Sequence, residues 1–237
     1  MEQAQRIDGL PVQVDVRDVL AQLRMGSDSP AAPRVKDLAE RIQETVQPRA
    51  LFRPCVVESS DRDVVRISGV EFASTTLAAL LNDTRQVFAY VVTCGPDAEF
   101  QLPSDSGAFE RVALDAISNH LLRQGCLVFE QQLSQRYGLG QTATIGPGAG
   151  DGTLWPVEQQ HALFELLGDT QASIGVTLTE DCMMLPMKSL SGLLFSADTG
   201  FRSCQLCTSP DCGMRDAPFE QCIRDRLRDG KPLSAIR

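Results

Sequence analysis

One long helix, predicted for residues 107–137, limits what this chain can fold into more than any other feature. Apolar residues recur in this segment at the spacing of one helical face. Gly125 interrupts the segment and predicts a bend, and Gly138 follows it, as glycines commonly follow a helix. A helix of this length has to cross one face of a sheet or pair with another helix, because its apolar side needs a large surface to cover it.

The segments around this helix predict a sheet that covers it. Residues 86–94 are rich in β-branched side chains and predict a central strand. Further strands are predicted at residues 50–58, 64–67, 174–179 and 190–196, and further helices at residues 16–25, 33–46, 75–81 and 157–167. Together these elements predict an α+β fold in which helices pack on a twisted, mainly antiparallel sheet.

Changes in composition along the chain predict three segments. Residues 1–48 are expected to form an N-terminal helical segment, and residues 49–200 the α+β core. Residues 201–237 contain four of the eight cysteines and are expected to form a metal-binding tail. We therefore expect one body with a chemically distinct C-terminal end.

The overall charge and hydropathy exclude two classes of function. The 237-residue chain has a net charge of −9 at pH 7 and no stripe of lysine and arginine, so nucleic-acid binding is not expected. No apolar run approaches the ~20 residues of a membrane-spanning helix, and the N-terminal residues lack the apolar core of a signal peptide. We expect a cytoplasmic protein without membrane contact. In that reducing compartment the cysteines are not expected to form disulfides.

A glycine-rich turn after the long helix is the first candidate ligand site. Glycines let backbone groups approach a ligand without interference from Cβ atoms. The spacing matches neither a dinucleotide fingerprint nor a P-loop, and a plain loop between a strand and a helix is the alternative. Two downstream serines alternate with Leu190 and are predicted to point into one polar pocket. The candidate residues are Gly146, Pro147, Gly148, Ala149, Gly150, Asp151, Ser189, Ser191 and Gly192.

The sequence predicts no catalytic residue. His120 and His161 are the only histidines, and each is interpreted as a solvated residue of a helical turn. No Ser–His–Asp or Cys–His arrangement can be assembled from the sequence. Met183, Met184 and Met187 are interpreted as core residues, with a pliable wall against a large flat ligand as the alternative.

Four clustered cysteines predict a metal site. Cys204, Cys207, Cys212 and Cys222 have the spacing C-x2-C-x4-C-x9-C. Their thiolates can hold a [4Fe–4S] cluster, or a zinc ion in tetrahedral geometry. The segment between them is polar, so a metal would supply the ordering energy that an apolar core provides elsewhere. The staggered spacing favours iron–sulfur over zinc slightly, and unliganded thiols or a redox pair are the remaining alternative.

The order of motifs resembles the activation domain of vitamin B12-dependent methionine synthase. The resemblance covers residues 144–196 closely, and the upstream part agrees in its general order of elements. The cysteine tail is similar to that of short, stand-alone members associated with corrinoid proteins of anaerobes. The matching runs are GPGAGD at 146–151, WPVEQQ at 155–160, LFELL at 163–167, IGVTLTE at 174–180 and SLSG at 189–192.

The resemblance implies a role in the reactivation of a corrinoid enzyme. Domains of this family bind S-adenosylmethionine and dock over the corrinoid, so that cob(II)alamin can be reduced and remethylated. It also adds Thr144 to the candidate site, at a position where the family usually has an arginine that pairs with the ligand's carboxylate. Ala149 stands where the family usually has a tyrosine that faces the corrinoid.

Two functions follow as expectations. In the first, the chain supports reductive reactivation of a corrinoid protein or cobalamin-dependent methyltransferase, with S-adenosylmethionine as a ligand, the corrinoid presented by the partner, and the cysteine site as a [4Fe–4S] electron carrier. In the second, a non-catalytic, metal-stapled module docks the same partner without S-adenosylmethionine. The chain is too short to hold all domains of a complete methionine synthase.

Overall fold

The predicted α+β fold is confirmed by the structure, a computed structural model that describes residues 2–96, 102, 106–210 and 212–233. The strands are β1 Gln5–Ile7, β2 Arg49–Asp61, β3 Val64–Ile67, β4 Val70–Ala73, β5 Gln86–Thr93, β6 Thr142–Ile145, β7 Thr177–Leu178, β8 Met184–Leu185 and β9 Ser189–Ser196. The helices are α1 Val16–Gln22, α2 Ala32–Thr45, α3 Thr75–Leu81, α4 Ala108–Tyr137, α5 Gln160–Leu167, α6 Thr170–Ile174 and α7 Gln221–Arg228.

An antiparallel sheet forms the centre of the molecule, with the strand order β4-β3-β2-β5-β9-β6. Strand β5 pairs with β2 on one side and with β9 on the other. All residues of β5 after Gln86 are buried, which confirms the prediction of a central strand from its β-branched and aromatic content. Strand β1 pairs with the first part of β2, and β7 and β8 form a separate ribbon.

Helices cover both faces of the sheet. On one face, α1, α2 and α4 pack on side chains that include Phe88 and Leu194. On the opposite face, α3, α5 and α7 pack on side chains that include Val91 and Leu193. Successive residues of a strand point to opposite faces, so β5 and β9 supply both clusters at once. Each fully buried aliphatic or aromatic side chain contributes about 1.5–3 kcal/mol relative to exposure.

The predicted long helix is confirmed as α4, which passes through Gly125 without interruption. A Cβ atom at Gly125 would lie 3.1 Å from Pro48 Cβ and 3.5 Å from Val92 Cγ1. The glycine therefore allows the helix to approach the sheet closely. Gly138 ends the helix in the left-handed conformation, with a φ angle of 63°. Within the described ranges, no helix combines the length and apolar character that crossing a bilayer requires.

The strand predicted for residues 174–179 is wrong, and β4 was not predicted. The first part of the predicted strand ends helix α6, and only Thr177–Leu178 are extended. Asp169 caps α6 by accepting a hydrogen bond from the backbone N–H of Ala172 at 2.8 Å, and Gly175 ends it with a φ angle of 71°. Ser68 and Gly69 both have positive φ angles and form the two-residue hairpin turn that leads into β4.

The residues after β9, called the cysteine tail here, pack on the face of the sheet that carries α3 and α5. They comprise residues 201–210 and 212–233 of the described chain. Phe201, Leu206 and Leu227 are buried in the same apolar cluster as Val91 and Leu193. The division of the chain at residues 48 and 200 stays a prediction, because a shared core does not test a domain boundary.

Candidate functional site

The glycine-rich turn is a series of tight turns whose backbone bonds to itself. Positive φ angles occur at Gly148, Gly150, Asp151 and Gly152. The Gly148 N–H donates to the carbonyl of Trp155 at 2.7 Å, and the Gly152 N–H donates to the carbonyl of Gly148 at 2.9 Å. The N–H groups of Ala149, Thr153 and Leu154 also donate to carbonyls within the turn. These donors are therefore engaged before any ligand arrives.

Gly146, which directly follows β6, and Gly192 of β9 lie where these two paired antiparallel strands approach each other closely. This point is called the β6–β9 crossing here. A Cβ atom on Gly146 would lie 2.6 Å from the Ser191 carbonyl oxygen. In the same way, a Cβ atom on Gly192 would lie 2.6 Å from the carbonyl oxygen of Ile145. Glycine in a strand interior commonly marks such a close approach of two backbones. Strand packing thus accounts for two of the glycines that the sequence analysis assigned to a ligand.

Ser189 and Ser191 lie on the same face of β9, as their alternation predicts, and both are buried. The Ser189 hydroxyl donates to the carbonyl of Pro186 at 2.6 Å and lies 2.8 Å from Thr93 Oγ1. Ser191 lies at the β6–β9 crossing, where its carbonyl oxygen faces Gly146. The structure thus brings Ser191, Gly192 and Gly146 together, while Ser189 fixes the ribbon to the sheet.

Asp151 connects the turn to the cysteine tail. Its carboxylate accepts hydrogen bonds from Thr208 Oγ1 and Arg224 Nη1, each at 3.0 Å, and from the thiol of Cys207 at 3.6 Å. Burial alone would raise the pKa of this carboxyl, but the three hydrogen bonds together hold its pKa below the ordinary value. Asp151 therefore connects the glycine-rich turn to the cysteine tail and is called the joint here, whereas the sequence analysis assigned it to a ligand site.

Thr144 lines a cavity of about 80 Å³ between α4 and the sheet, called the α4–β9 cavity here. Its carbonyl accepts a hydrogen bond from Ser203 at 2.8 Å, and its backbone forms a parallel bridge with Arg202. The first residues of the tail thus continue the sheet edge beside β6. The lining residues used below are Tyr90, Arg123, Glu130, Leu190, Arg202, Met214 and Asp216.

An ion pair closes one side of the α4–β9 cavity. Arg202 Nη1 donates to both carboxylate oxygens of Glu130, at 2.8 and 2.9 Å. Thr142 also donates to Glu130 through its hydroxyl. A guanidinium therefore lies beside Thr144, the position where the resembling family usually carries an arginine, but it comes from the tail and is paired.

Burial weakens the acidity of the groups beside this ion pair. It raises the pKa of the Tyr90 hydroxyl well above its ordinary value, and the nearby charge of Glu130 adds to the effect. A hydrogen bond with Thr144 opposes the rise. Burial likewise raises the pKa of the Cys126 thiol, which also lines the cavity. Both side chains are therefore neutral at physiological pH and serve as hydrogen-bonding or packing groups.

The four-cysteine metal site is not confirmed. In the described part of the chain, which includes all four cysteines, no group of three or more His, Cys, Asp or Glu side chains is placed to hold a metal ion. The Cys207 thiol faces Asp151, and the Cys204 thiol is hydrogen-bonded to Asp216. Cys212 and Cys222 are exposed. The residues as placed fit neither a [4Fe–4S] cluster nor a zinc ion, because each centre needs four converging ligands.

Arg215 holds together the backbone of the polar loop between the cysteines, which the sequence analysis expected a metal to order. Its Nη1 donates to the carbonyls of Cys204 and Ala217 at 3.1 and 2.9 Å. Its Nη2 donates to the carbonyl of Cys207 at 3.0 Å and to that of Ser209. A guanidinium has five donors in a fixed plane, so one side chain can join several stretches of backbone. The polar loop is thus organised by a cation of the chain itself.

The exposed apolar residues of the ribbon correct the interpretation of the methionines. Met183, Leu185 and Met187 have relative exposures of 53%, 43% and 62%, whereas Met184 packs against the core. A hydrogen bond from Ser189 of β9 to the Pro186 carbonyl fixes the ribbon to β9. The glycine-rich turn begins next to Ser191, two residues further along the same strand. The ribbon and the turn therefore border the same part of the surface.

The histidines have local structural partners. His120 is buried, and its Nε2 accepts a hydrogen bond from the backbone N–H of Asp15 at 3.2 Å, so the expectation that it is solvated is wrong. His161 Nε2 lies 3.5 Å from the carbonyl oxygen of Glu180 at the ribbon.

Comparisons with known proteins support the resemblance. The sequence model of a family described as "Vitamin B12 dependent methionine synthase, activation domain" matches residues 130–202. A solved structure, described as the MetH reactivation domain bound to AdoHcy, matches with a TM-score of 0.57 at 14% identity. The match covers 98% of this chain and 87% of that chain. A search of curated proteins finds no match. The suspected resemblance is thereby confirmed, and the structural likeness confirms the fold.

Sequence reasoning missed the charged residues of the α4–β9 cavity. Arg123, Cys126 and Glu130 are spaced by three and four residues on α4, so they share one helical face. A cation and an anion on one face of α4, with an apolar cysteine between them, were a signal that a polar site was present there. Arg202 gave no such signal, since it lies outside the predicted elements.

Proposed function

Proceeding from this likeness, we propose that the chain is an accessory protein of a cobalamin-dependent methyltransferase such as methionine synthase. It docks the module that carries the corrinoid and supports reductive reactivation of the cobalt centre. The observation that carries the proposal is the family match over residues 130–202, which contains β6, the glycine-rich turn, α5 and β9 together. The match is one continuous segment of the sequence, and within it β6 pairs with β9 and the start of the glycine-rich turn lies against Ser191.

The ribbon supplies the docking surface in this proposal. Met183, Leu185 and Met187 are exposed along the ribbon, and large exposed apolar residues that lie together commonly mark interaction sites. Methionine side chains are flexible and polarisable, so they adapt to a flat apolar partner such as a corrin ring. Ala149 leaves the turn without a bulky side chain, which lets the backbone of the turn approach the partner closely.

Binding of S-adenosylmethionine is the second candidate activity, and it is favoured by the likeness to a domain solved with AdoHcy. The chain's own residues fit this ligand poorly as they are placed. The α4–β9 cavity measures about 80 Å³, whereas small-molecule sites usually measure about 300–1,000 Å³. The N–H groups of Gly148, Ala149 and Gly152 in the glycine-rich turn already donate to carbonyls of the chain. We therefore propose docking as the main role of the chain.

The docking proposal is tested with the cobalamin-binding module of a methionine synthase, held as cob(II)alamin under anaerobic conditions. Sedimentation and the visible spectrum of the corrinoid report complex formation and any change in the axial ligand. We expect a complex that Met183→Ser and Met187→Ser weaken about tenfold or more, because central apolar contacts of an interface commonly cost over 1 kcal/mol when truncated. Val112→Ser, which changes an exposed residue of α4, is the control.

The outcomes of this experiment decide between docking and ligand binding. No complex, or a complex that both ribbon variants leave unchanged, contradicts the docking proposal. A calorimetric titration with S-adenosylmethionine then separates the two candidate activities. Heat at micromolar ligand would establish the ligand site and require the α4–β9 cavity to open. Absence of heat at millimolar ligand, together with an intact complex, leaves docking as the sole activity.

A further inference from the structure

The α4–β9 cavity contains a cation that no described residue balances. Arg123 projects from α4, and its Nε atom is buried without a hydrogen-bond partner. No ion pair joins Arg123 to another residue in the ranges that the structure describes. A buried N–H that lacks a hydrogen-bond acceptor costs free energy, and the cost is larger when the donor is charged. The side chain of Arg123 is otherwise partly exposed, so its Nε–H in the wall of the cavity is the group that indicates an acceptor entering from outside.

The acidic residues of the cavity do not supply this acceptor. Glu130 is hydrogen-bonded to Arg202 and Thr142, and no ion pair joins it to Arg123 in the part of the chain that the structure describes. Asp216 is exposed at the rim, and the thiol of Cys204 is hydrogen-bonded to it. The charge of Asp216 adds to the raised pKa of both Tyr90 and Cys126, so it would partly oppose an entering anion. Arg123 is the cation of the lining that has no ion-pair partner among the described residues.

We infer that the α4–β9 cavity binds a small oxyanion, of the carboxylate or phosphate class, through the guanidinium of Arg123. The volume of about 80 Å³ compares with about 10–15 Å³ of the same measure for one water, so a group of several heavy atoms fits and a nucleoside does not. A guanidinium fork matches both oxyanions geometrically. The hydroxyl of Tyr90 lines the cavity as a further donor, and Leu190 and Met214 provide apolar walls that strengthen the electrostatic contact.

This inference stands independently of the docking proposal, because it concerns a cavity inside the chain and needs no partner. The test uses the unmodified chain and phenylglyoxal, which reacts with accessible guanidinium groups. Peptide mass spectrometry follows the reaction of Arg123, with Arg136 on the same helix as the internal reference. Acetate, glycine and inorganic phosphate are the probes, each at about 10 mM, which saturates a site of millimolar affinity.

We expect an anion to slow modification of Arg123 about fivefold or more while Arg136 is unaffected, because an occupied fork with a dissociation constant near 1 mM is about 90% bound under these conditions. Protection by acetate and glycine assigns the carboxylate class, and protection by phosphate assigns the phosphate class. Equal slowing of both arginines, or no protection by any probe, overturns the inference, since the cavity then holds only water.

Variants give a second measurement that does not depend on the reagent. The anion should raise the melting temperature of the unmodified chain and of Arg136→Lys. Arg123→Met should lose this shift, because the charge is gone. Arg123→Lys should lose most of it, since a lysine keeps the charge but lacks the fork and the Nε–H. Retention of the full anion-dependent shift in Arg123→Met would overturn the inference even where both variants fold normally.

Discussion

The sheet and the cysteine tail are held by different forces. In the sheet, Phe88 and its neighbours on β5 are fully buried, and apolar contact between strands and helices supplies the stability. In the tail, Phe201, Leu206 and Leu227 anchor the segment to the core, and Arg215 and Arg224 donate to backbone carbonyls of the polar turns between them. The comparison teaches that a polar segment of this chain is ordered by guanidinium groups where a metal was expected.

The difference is clearest at the joint between the two regions. Arg224 Nη1 donates to the Leu206 carbonyl at 2.5 Å and to Asp151 at 3.0 Å, so one side chain connects α7, the tail and the glycine-rich turn. Apolar burial is non-directional and tolerates small shifts, whereas hydrogen bonds depend on position. We therefore expect truncation in the core to destabilise the whole fold, and loss of a guanidinium in the tail to destabilise the tail locally.

The largest effect should follow truncation of the core. Phe88→Ala removes a fully buried ring that packs against Phe52 and Tyr137, and should lower the free energy of unfolding by about 3–5 kcal/mol. Urea denaturation measures the change. Val112→Ala on the exposed side of α4 is the matched control and should be nearly neutral. A loss below about 1 kcal/mol for Phe88→Ala would mean that the core is not the main source of stability.

A smaller and more local effect should follow loss of a tail guanidinium. Arg215→Met removes donors to four carbonyls and should destabilise the tail by about 1.5–3 kcal/mol, the usual value of a hydrogen bond to a charged group. Hydrogen exchange should speed up in residues 203–228 and stay unchanged in β5. Arg228→Met, at an exposed ion pair with Asp225, is the control. Equal acceleration in the sheet would show that the two regions unfold together.

The β6–β9 crossing lies at the seam of the two regions and gives a third prediction. Gly146→Ala forces a Cβ atom against the Ser191 carbonyl and should cost about 1–3 kcal/mol, as overpacking does. Gly140→Ala is a close control, since a Cβ atom there meets nothing within 4 Å. Thermal unfolding compares the two variants. If both are neutral, the crossing is looser than the structure implies.

The smallest effect concerns the pH dependence of the joint. The pKa of Asp151 is lowered from 3.8 in the folded chain, so its contribution to stability is present above pH 3.8 and is lost as the pH falls through the lowered value. Exchange in the tail should therefore speed up below about pH 4 before the sheet responds. Asp151→Asn should remove this step while leaving the response of the core unaltered. A step that persists in Asp151→Asn would assign it to another carboxyl.

Periodic segments of the sequence predicted the sheet and helices well. The apolar spacing of α4 and the β-branched run of β5 specify their structures locally, and the N-cap side chains of Asp15 and Ser74 specify where α1 and α3 begin. Failures occurred where a short local signal decided the conformation, as at Asp169, which caps α6, and in the four residues of β4 after the turn at Ser68–Gly69. Those signals occupy one or two residues and compete with stronger patterns on either side.

The candidate site was harder to predict than the fold. Glycines at 146 and 192 matched a ligand cradle, but the contact that requires them comes from a strand distant in sequence. The cysteine spacing matched a metal site, yet the organising side chain is Arg215, for which spacing gives no rule. Pairing between Glu130 and Arg202 likewise depends on tertiary proximity, which a single sequence does not contain.

The claim that this chain serves a corrinoid enzyme is tested most directly by hydrogen exchange on the chain, alone and in the presence of a cobalamin-binding module held as cob(II)alamin. The account predicts protection in the ribbon, residues 177–187, and in the glycine-rich turn, residues 146–152, with no change in α1 and α2 on the opposite face of the sheet. Protection confined to α1 and α2, or no protection at saturating partner, would contradict it.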